Sequence, residues 1–450
     1  MKTSIARSLV TGALFVVPAF LLVPLGSVSV SMQGLQFSWS ELRAQEDGEE
    51  RRQTRRAMAV SESVNRSLAR VSEHLSPEGE GAEPNLQAAL QEANNINHSR
   101  WNDFERAQLY NLYGNIYVQL ENYNEAIKYF QMYVDTPSIP EPNMLNVSYY
   151  LAQLYLATEN YPEAIRLLEQ YIQRSEIVGA DHYYRLGQAY YMAENLAKAL
   201  PNIEKAVRLY EESDRVPPEG LYQYQMSLHY GREDYPKVIT VLEKLVRHYP
   251  KISHWRTLAQ VYGVSGRQLD QLHAFDTIYM MGGLEQEKEL RLLGSLYLEQ
   301  EYPYKGAKIL QKGIDDKKIE DTSRNLELLA GAWSMAREQD KSIPVMEQAA
   351  AKSDDGELYA RLSQLYLSID EHQKAIDAGR EALKRELKKP ANVHLYIGMS
   401  LYNQEKYDAA LSAFREARKD KNAARQANTW IRLVESEKER MARLREGDTA

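Results

Sequence analysis

The chain has 450 residues, 26% charged and 44% hydrophobic, with a formal net charge of -8 and a pI of about 5.8. That is the composition of a foldable chain, and its acidity argues against a nucleic-acid partner. It has no cysteine, which excludes disulfide frameworks, Cys-zinc sites, iron–sulfur clusters and thiol catalysis, and is compatible with an oxidising compartment.

At the N-terminus, Lys2 and Arg7 precede an apolar stretch from about Leu9 to Leu25, broken by Pro18 and Pro24. A short basic region before an interrupted apolar run fits a secretory leader better than a stable membrane span. Residues 1–44 are read as a signal peptide cleaved after Ala44. Ser31 is the other cleavage position, and retention of the leader as an uncleaved anchor is the alternative. No later segment approaches 18 unbroken apolar residues, so membrane contact is expected only through the leader. Residues 45–56 (QEDGEERRQTRR) form a charged linker. Its Arg51, Arg52, Arg55 and Arg56 could meet anionic lipid or an acidic partner, but the neighbouring Glu49 and Glu50 favour a solvated linker.

Residues 57–100 read as a degenerate helical pair. Val60, Val64, Leu68, Val71 and Leu75 keep helical spacing, a Pro/Gly/Glu-rich loop follows to Pro84, and Leu86–Ile96 is a second short helix. From Trp101 one pattern recurs. NYNEAIKYF begins at Asn122, NYPEAIRLL at Asn160 and KYDAALSAF at Lys406. The small residue at the centre of each unit falls at Ala126, Ala164, Ala199, Val238, Gln271, Gly306, Ser342, Ala375 and Ala410, at gaps from 33 (238 to 271) to 39 (199 to 238) residues. These units fill residues 101–420, about nine repeats of two amphipathic helices. Residues 421–450 form a helix with Ala427, Trp430, Ile431 and Val434 on one face and then a charged tail, as suits a cap.

A period of about 34 residues with two helices per unit resembles the tetratricopeptide repeat (TPR) family. The first helices carry its pattern. Tyr110, Tyr113-Gly114 and Tyr117 match, then Leu151-Ala152 and Tyr155, and Leu186-Gly187 and Tyr190. Trp255, Leu258-Ala259 and Tyr262 match best. Leu293-Gly294 with Tyr297, Leu329-Ala330 with Trp333, and Leu362 with Tyr366 continue the series, and Ile397-Gly398 ends it with Leu401 in place of the aromatic. The composition agrees, with 31 Tyr against 7 Phe. The physical reason is packing: two antiparallel helices approach closely at Gly or Ala, and the aromatic fills the gap towards the neighbouring repeat. The weakest units are 221–249, with Met226 and His229 at the small and aromatic positions, and 285–313, with Gly306 and Gly313 inside a helix. The resemblance implies an all-α fold, a TPR α-solenoid forming a right-handed superhelix with a C-terminal capping helix.

No motif for chemistry stands out. There is no phosphate loop, no dinucleotide fingerprint, no HExxH and no G-x-S-x-G. His182, His229, His248, His254 and His273 lack a repeated ligand spacing, and the acidic pairs Glu211-Glu212, Asp315-Asp316 and Asp354-Asp355 read as solvated caps. The expectation is a non-enzymatic binding protein with no metal, no cofactor, no small-molecule substrate and no nucleic-acid partner.

In the family, the first helices line the concave face through their second, fifth, ninth and twelfth positions. Mapped here, these include Asn111, Asn115, Asn146, Tyr149, Gln153, Tyr184, Gln188, Tyr191, Gln223, Tyr230, Arg256 and Gln260. Amides donate to and accept from a peptide backbone, and phenols add contact area at low entropic cost, so these residues are the candidate groove for an extended peptide. The alternative is plain solvation of a polar wall. The chaperone-binding members hold a C-terminal carboxylate with a basic clamp. Asn111 and Asn115 lie on that grid, but Tyr150, Asp181 and Arg185 occupy the partner positions and most of the basic clamp is missing.

A narrower resemblance covers Ala44–Tyr129: AQE, a charged run ending QTRRAMAVSESVNRSL, then NDFERAQLYNLYGNIYVQLENYNEAIKYF. It is similar to periplasmic TPR proteins of Gram-negative bacteria that are commonly encoded beside TonB, ExbB and ExbD. That resemblance implies a periplasmic scaffold assisting a TonB-dependent uptake system through TonB/ExbB/ExbD-like partners, with inner-membrane anchoring facing the periplasm as the alternative location. An adaptor in outer-membrane or polysaccharide assembly is the alternative function.

Overall fold

The computed structural model describes residues 60–76, 83–137, 139–354 and 356–447, with 445–447 as backbone only. The signal peptide and linker expected at 1–56 lie outside the described residues. Every regular element among the described residues is an α-helix, and within each unit the two helices of a hairpin pack on one another. The chain divides into two compact units, one ending at Val241 and the other beginning at Leu242.

Unit 1 opens with α1 (Glu62–Leu75) and α2 (Leu86–Asn95). Three hairpins follow: α3 (Asp103–Gln119) with α4 (Tyr123–Val134), α5 (Glu141–Ala157) with α6 (Tyr161–Arg174), and α7 (Ala180–Met192) with α8 (Leu196–Glu212). Then comes α9 (Glu219–Tyr230), and α10 (Tyr235–His248) carries the boundary. Unit 2 contains α11 (Ile252–Val264) with α12 (Gln268–Met280), α13 (Glu287–Glu299) with α14 (Pro303–Asp315), and α15 (Ser323–Met335) with α16 (Gln339–Ala351). It ends with α17 (Gly356–Ser368) and α18 (His372–Leu383), α19 (Pro390–Asn403) and α20 (Tyr407–Arg418), and α21 (Ala424–Gly447).

The hairpins share three devices. The first is the turn between the two helices, where one residue adopts the left-handed conformation: Glu121, Glu159, Glu194, Glu233, Gly266, Glu301, Arg337, Asp370 and Glu405. Only Gly266 among these is free of the Cβ penalty, about 1 kcal/mol for the others. The second is helix initiation. Asn122 and Asn195 accept the backbone N–H groups of Glu125 and Lys198, and Pro162 and Pro303 occupy first turns where a missing N–H costs nothing.

The third device is the small contact where the two helices cross. Ala126, Ala164, Ala199, Val238, Ser342, Ala375 and Ala410 are fully buried. Gly114 lies under the Phe130 ring, where a Cβ would come within 2.6 Å of Cε1. Gly306 faces the Gly294 carbonyl, so this pair of the weak unit is a closer version of the same crossing, whereas Gly313 lies against Ile319. Where a larger or polar residue stands at this contact, its partner compensates. Gln271 fits because Gly263 leaves space for its amide. Ser342 donates to the Ala330 carbonyl at 2.8 Å and Ser363 to that of Ala375 at 2.7 Å, which satisfies both buried hydroxyls.

The aromatic of the first helix reaches back to the second helix of the preceding hairpin. Tyr190 donates to Glu169, Tyr262 to Glu243 at 2.8 Å, Trp333 to Gln311 at 3.5 Å and Tyr366 to Glu347. Burial and these acids push the Tyr190 and Tyr262 hydroxyls above their ordinary range. Each bond joins two repeats that could not bury their apolar faces alone.

The ends are closed differently. Glu105, buried in α3, accepts the backbone N–H of Asn102 and that of Ser61, the N-cap of α1, both at 3.0 Å. Burial pushes its carboxyl up, but those backbone bonds outweigh burial and hold it below the ordinary carboxylate range. One carboxylate therefore holds the starts of α1 and α3 together. This assigns the Trp101–Arg106 segment a structural role, since Asn102 and Glu105 form a capping box. At the other end Ala427, Ile431 and Val434 of α21 are buried, and Trp430 stacks on Phe414 at 5.5 Å.

Candidate functional site

The first helices of consecutive hairpins touch, α7 with α9 in unit 1 and α17 with α19 in unit 2. Their shared face is therefore a wall on which side chains of neighbouring repeats meet. The residues expected to line it occupy different environments. Asn111 is buried and Asn115, half-buried, donates to the Asn111 carbonyl at 2.9 Å. Asn146 and Gln260 are exposed and Gln153 is half-buried. Gln223 donates to Glu219 at 3.3 Å, and Tyr230 meets Tyr235 edge-on at 5.9 Å.

Tyr149, Tyr184, Gln188 and Tyr191 come together on α5 and α7. Tyr149 packs against His182 at 4.8 Å between ring centroids and against Tyr171 at 5.2 Å. Burial drives its hydroxyl up to about 12, against the opposing charge of Arg185. Tyr184 is likewise pushed up to about 12 by burial. Both phenols are thus neutral donors at any physiological pH. Tyr191 shares a 2.8 Å hydrogen bond with Ser227 of α9 and meets Tyr224 edge-on at 4.9 Å.

Gln188 is 4% exposed and fixed at both ends of its amide. Its Nε2 donates to the Tyr224 hydroxyl at 3.3 Å, and its Oε1 accepts Arg185 Nη1 at 3.0 Å. Arg185 also lies over the Tyr184 ring at 5.3 Å. Its natural helix neighbour, Asp181, is drawn away: Asp181 accepts the Tyr210 hydroxyl and pairs with Arg215 at 3.2 Å. The pattern of second, fifth, ninth and twelfth positions leaves out Tyr224 and Ser227, and Arg185 enters the sequence reading only as a residue on the clamp grid. The four-residue spacing from Asp181 to Arg185 suggests an intrahelical ion pair, and only the fold shows that the acid is spent elsewhere.

In unit 2, Arg256 meets Glu289 of α13 at 2.7 Å and the Gly283 carbonyl at 3.1 Å. Glu289 is 6% exposed, so this is a mostly desolvated pair. Arg361 of α17 pairs with Glu327 of α15, and Asn325 donates to Glu287 at 2.9 Å. Among the described residues, no group of His, Asp and Glu side chains could hold a metal ion and no helix is long and apolar enough to cross a membrane.

Comparison with known proteins agrees with the repeat architecture. Profiles of the tetratricopeptide repeat match residues 142–212 and 107–132. No curated protein matches the chain. Among solved structures, a crystal structure of MamA is similar at 18% identity over 36% of this chain and 90% of that chain, with a TM-score of 0.32. YrrB, described as a TPR protein with an unusual peptide-binding site, is similar at 16% identity over 38% of this chain and 83% of its own, with a TM-score of 0.32. A tetratricopeptide repeat protein from Parabacteroides merdae is similar at 15% identity over 57% of this chain and 98% of its own, with a TM-score of 0.28. The chain carries tetratricopeptide repeats in an all-α, solenoid-type fold, and that repeat, generally a non-catalytic scaffold, suggests a protein–protein interaction role.

Proposed function

We propose that this chain is a periplasmic, non-enzymatic adaptor that holds an extended segment of a partner protein on the first-helix wall of unit 1. The observation that carries this reading is the row of phenols and amides on α5, α7 and α9: Tyr184, Gln188 and Tyr191 each join Tyr224 by a hydrogen bond or ring contact, and Tyr149 of α5 packs on His182 of α7. A wall whose side chains are already fixed spends little entropy when it orders a ligand. Half-buried phenols offer area, and exposed Asn146 with half-buried Gln153 offers backbone partners. The export location rests on the leader-like N-terminus and on the resemblance of residues 44–129 to periplasmic repeat proteins encoded beside TonB, ExbB and ExbD. The partner we infer is a TonB-, ExbB- or ExbD-like component.

The test is co-purification of the tagged chain with membranes of its native host, followed by identification of bound proteins. Recovery of a TonB-, ExbB- or ExbD-like component, lost when Tyr149 and Tyr184 are changed to Ala, supports partner and wall together. Recovery of outer-membrane or polysaccharide-assembly components removes the TonB reading. Undiminished recovery by the double variant removes the wall.

A further inference from the structure

Five arginines among the described residues are half-buried: Arg106, Arg185, Arg256, Arg291 and Arg385. Four of them have a carboxylate within 4.0 Å: Asp103 for Arg106, Glu289 for Arg256, Glu287 for Arg291 and Glu381 for Arg385. Arg185 does not. The nearest acid on its own helix is committed to Tyr210 and Arg215, and what surrounds the guanidinium is Gln188, Tyr184 and Tyr149. These supply dipoles and a π face but no negative charge. Partly desolvating a guanidinium without a counter-charge is unfavourable, and the fold meets that need at every other such position.

Arg185 is also held in place. Gln188 is buried, and its amide is oriented by the Tyr224 hydroxyl, so that its oxygen faces Nη1. A guanidinium fixed at one nitrogen and stacked on a ring keeps its remaining N–H groups in the planar fork that suits a carboxylate. The wall continues on both sides of it, with Tyr149 on α5 before and Tyr191, Tyr224 and Ser227 on α7 and α9 after. A ligand that covers these rings must run past Arg185 in both directions.

We propose that the missing counter-charge is supplied by the partner: the segment held on unit 1 carries an Asp or Glu side chain within its length, and Arg185 takes that carboxylate. This rests on the peptide-binding reading of the wall and adds the chemical identity of the anchor. The phenols and amides around it are neutral, and Asp181, the acid whose charge reaches Tyr149 and Tyr184, opposes an acidic segment, so selectivity for one belongs to Arg185.

The test uses the full chain and two mixtures of short fluorescent peptides, capped at both ends and randomised except for a central Glu in one and a central Gln in the other. Fluorescence anisotropy is expected to show the Glu mixture bound about tenfold more tightly, as a charge-assisted pair requires. That preference should shrink as salt rises. Arg185→Gln should erase it, bringing the two mixtures to equal affinity, and Arg185→Lys should retain part of it. Equal binding of both mixtures, or a preference that survives Arg185→Gln, overturns the proposal and leaves the wall reading intact. Binding seen only with an uncapped C-terminal carboxylate overturns it in favour of terminal capture. No binding of either mixture removes the wall reading and this proposal together.

Discussion

The two units use one scaffold to build two different walls. In unit 1 the first-helix face is a lattice of phenols and amides around a cation whose helix neighbour Asp181 is bonded to Tyr210 and Arg215 instead. In unit 2 the corresponding cations are neutralised from the first helix of a neighbouring hairpin, Arg256 by Glu289 of the following one and Arg361 by Glu327 of the preceding one. A tight crossing and an inter-repeat aromatic recur in both, because close helix approach restricts what fits there, and where unit 2 departs from Ala, at Gln271, Gly306 and Ser342, the facing residue compensates. The wall positions carry no such constraint, so their chemistry can diverge. The lesson is that unit 2 has spent its wall charges on holding repeats together, whereas unit 1 has kept one charge for something outside the chain.

The largest effect should come from making unit 2 resemble unit 1. Glu289→Ala would strand Arg256 half-buried, and we expect a loss of about 2 kcal/mol in the local stability of α11 and α13, read by amide hydrogen exchange. Retained protection would mean that a lone guanidinium on this wall is tolerated, and the contrast with Arg185 would lose its force.

Smaller effects, of about 1 kcal/mol and of opposite sign, are expected at the hairpin turns. Glu159→Gly in unit 1 should raise the denaturation midpoint, because Glu159 holds φ 61° at the cost of a Cβ. Gly266→Glu in unit 2 should lower it, although nothing lies within 4 Å of the added Cβ. Effects of equal sign would show that side-chain contacts, not backbone conformation, govern these turns.

Arg185→Gln is expected to cost about 1 kcal/mol in stability, less than Glu289→Ala, since it gives up the hydrogen bond to buried Gln188 but breaks no ion pair. Urea denaturation checks this, and a loss as large as that of Glu289→Ala would show that Arg185 is a structural residue.

The last effect concerns acid. Burial pushes His182 and His229 of unit 1 and His394 of unit 2 below their ordinary range, with Glu204 opposing the shift at His229. The folded chain then keeps these rings neutral while the unfolded chain takes up protons first. Stability should be level above about pH 6.5 and fall as pH drops through that value. Unit 1, with two such rings, should lose hydrogen-exchange protection before unit 2, and His229→Phe should narrow the difference. A loss equal in both units would break this part of the comparison.

Much of the architecture is legible in the chain. Ala126, Ala164, Ala199, Ala375 and Ala410 announce the helix crossings by recurring beside aromatic and aliphatic residues at a near-constant period, and all five are fully buried. Tyr190, Tyr262 and Tyr366 announce the gap towards the preceding repeat. Their acid partners do not, because Glu169, Glu243 and Glu347 look like any solvated helix position. The poorest repeat is visible too: Met226 and His229 stand where small and aromatic residues are expected, and the division between the units falls in the helix that follows. On the wall, Tyr149, Tyr184 and Tyr191 could be named from position alone. Arg256 could be named but not its pairing with Glu289, and Arg185 could be seen but not its isolation.

The sequence by itself determined the repeat, its period, the helical class and the buried crossings, because those follow from local periodicity and from side-chain size at fixed intervals. Only the tertiary structure decided which charges meet. Asp181 lies four residues from Arg185 yet bonds Tyr210 and Arg215, and Glu289 lies far from Arg256 in sequence yet closes on it at 2.7 Å. Whether a charge on a repeat wall is neutralised or left for a partner depends on how successive helices stack, and no local pattern encodes that distance.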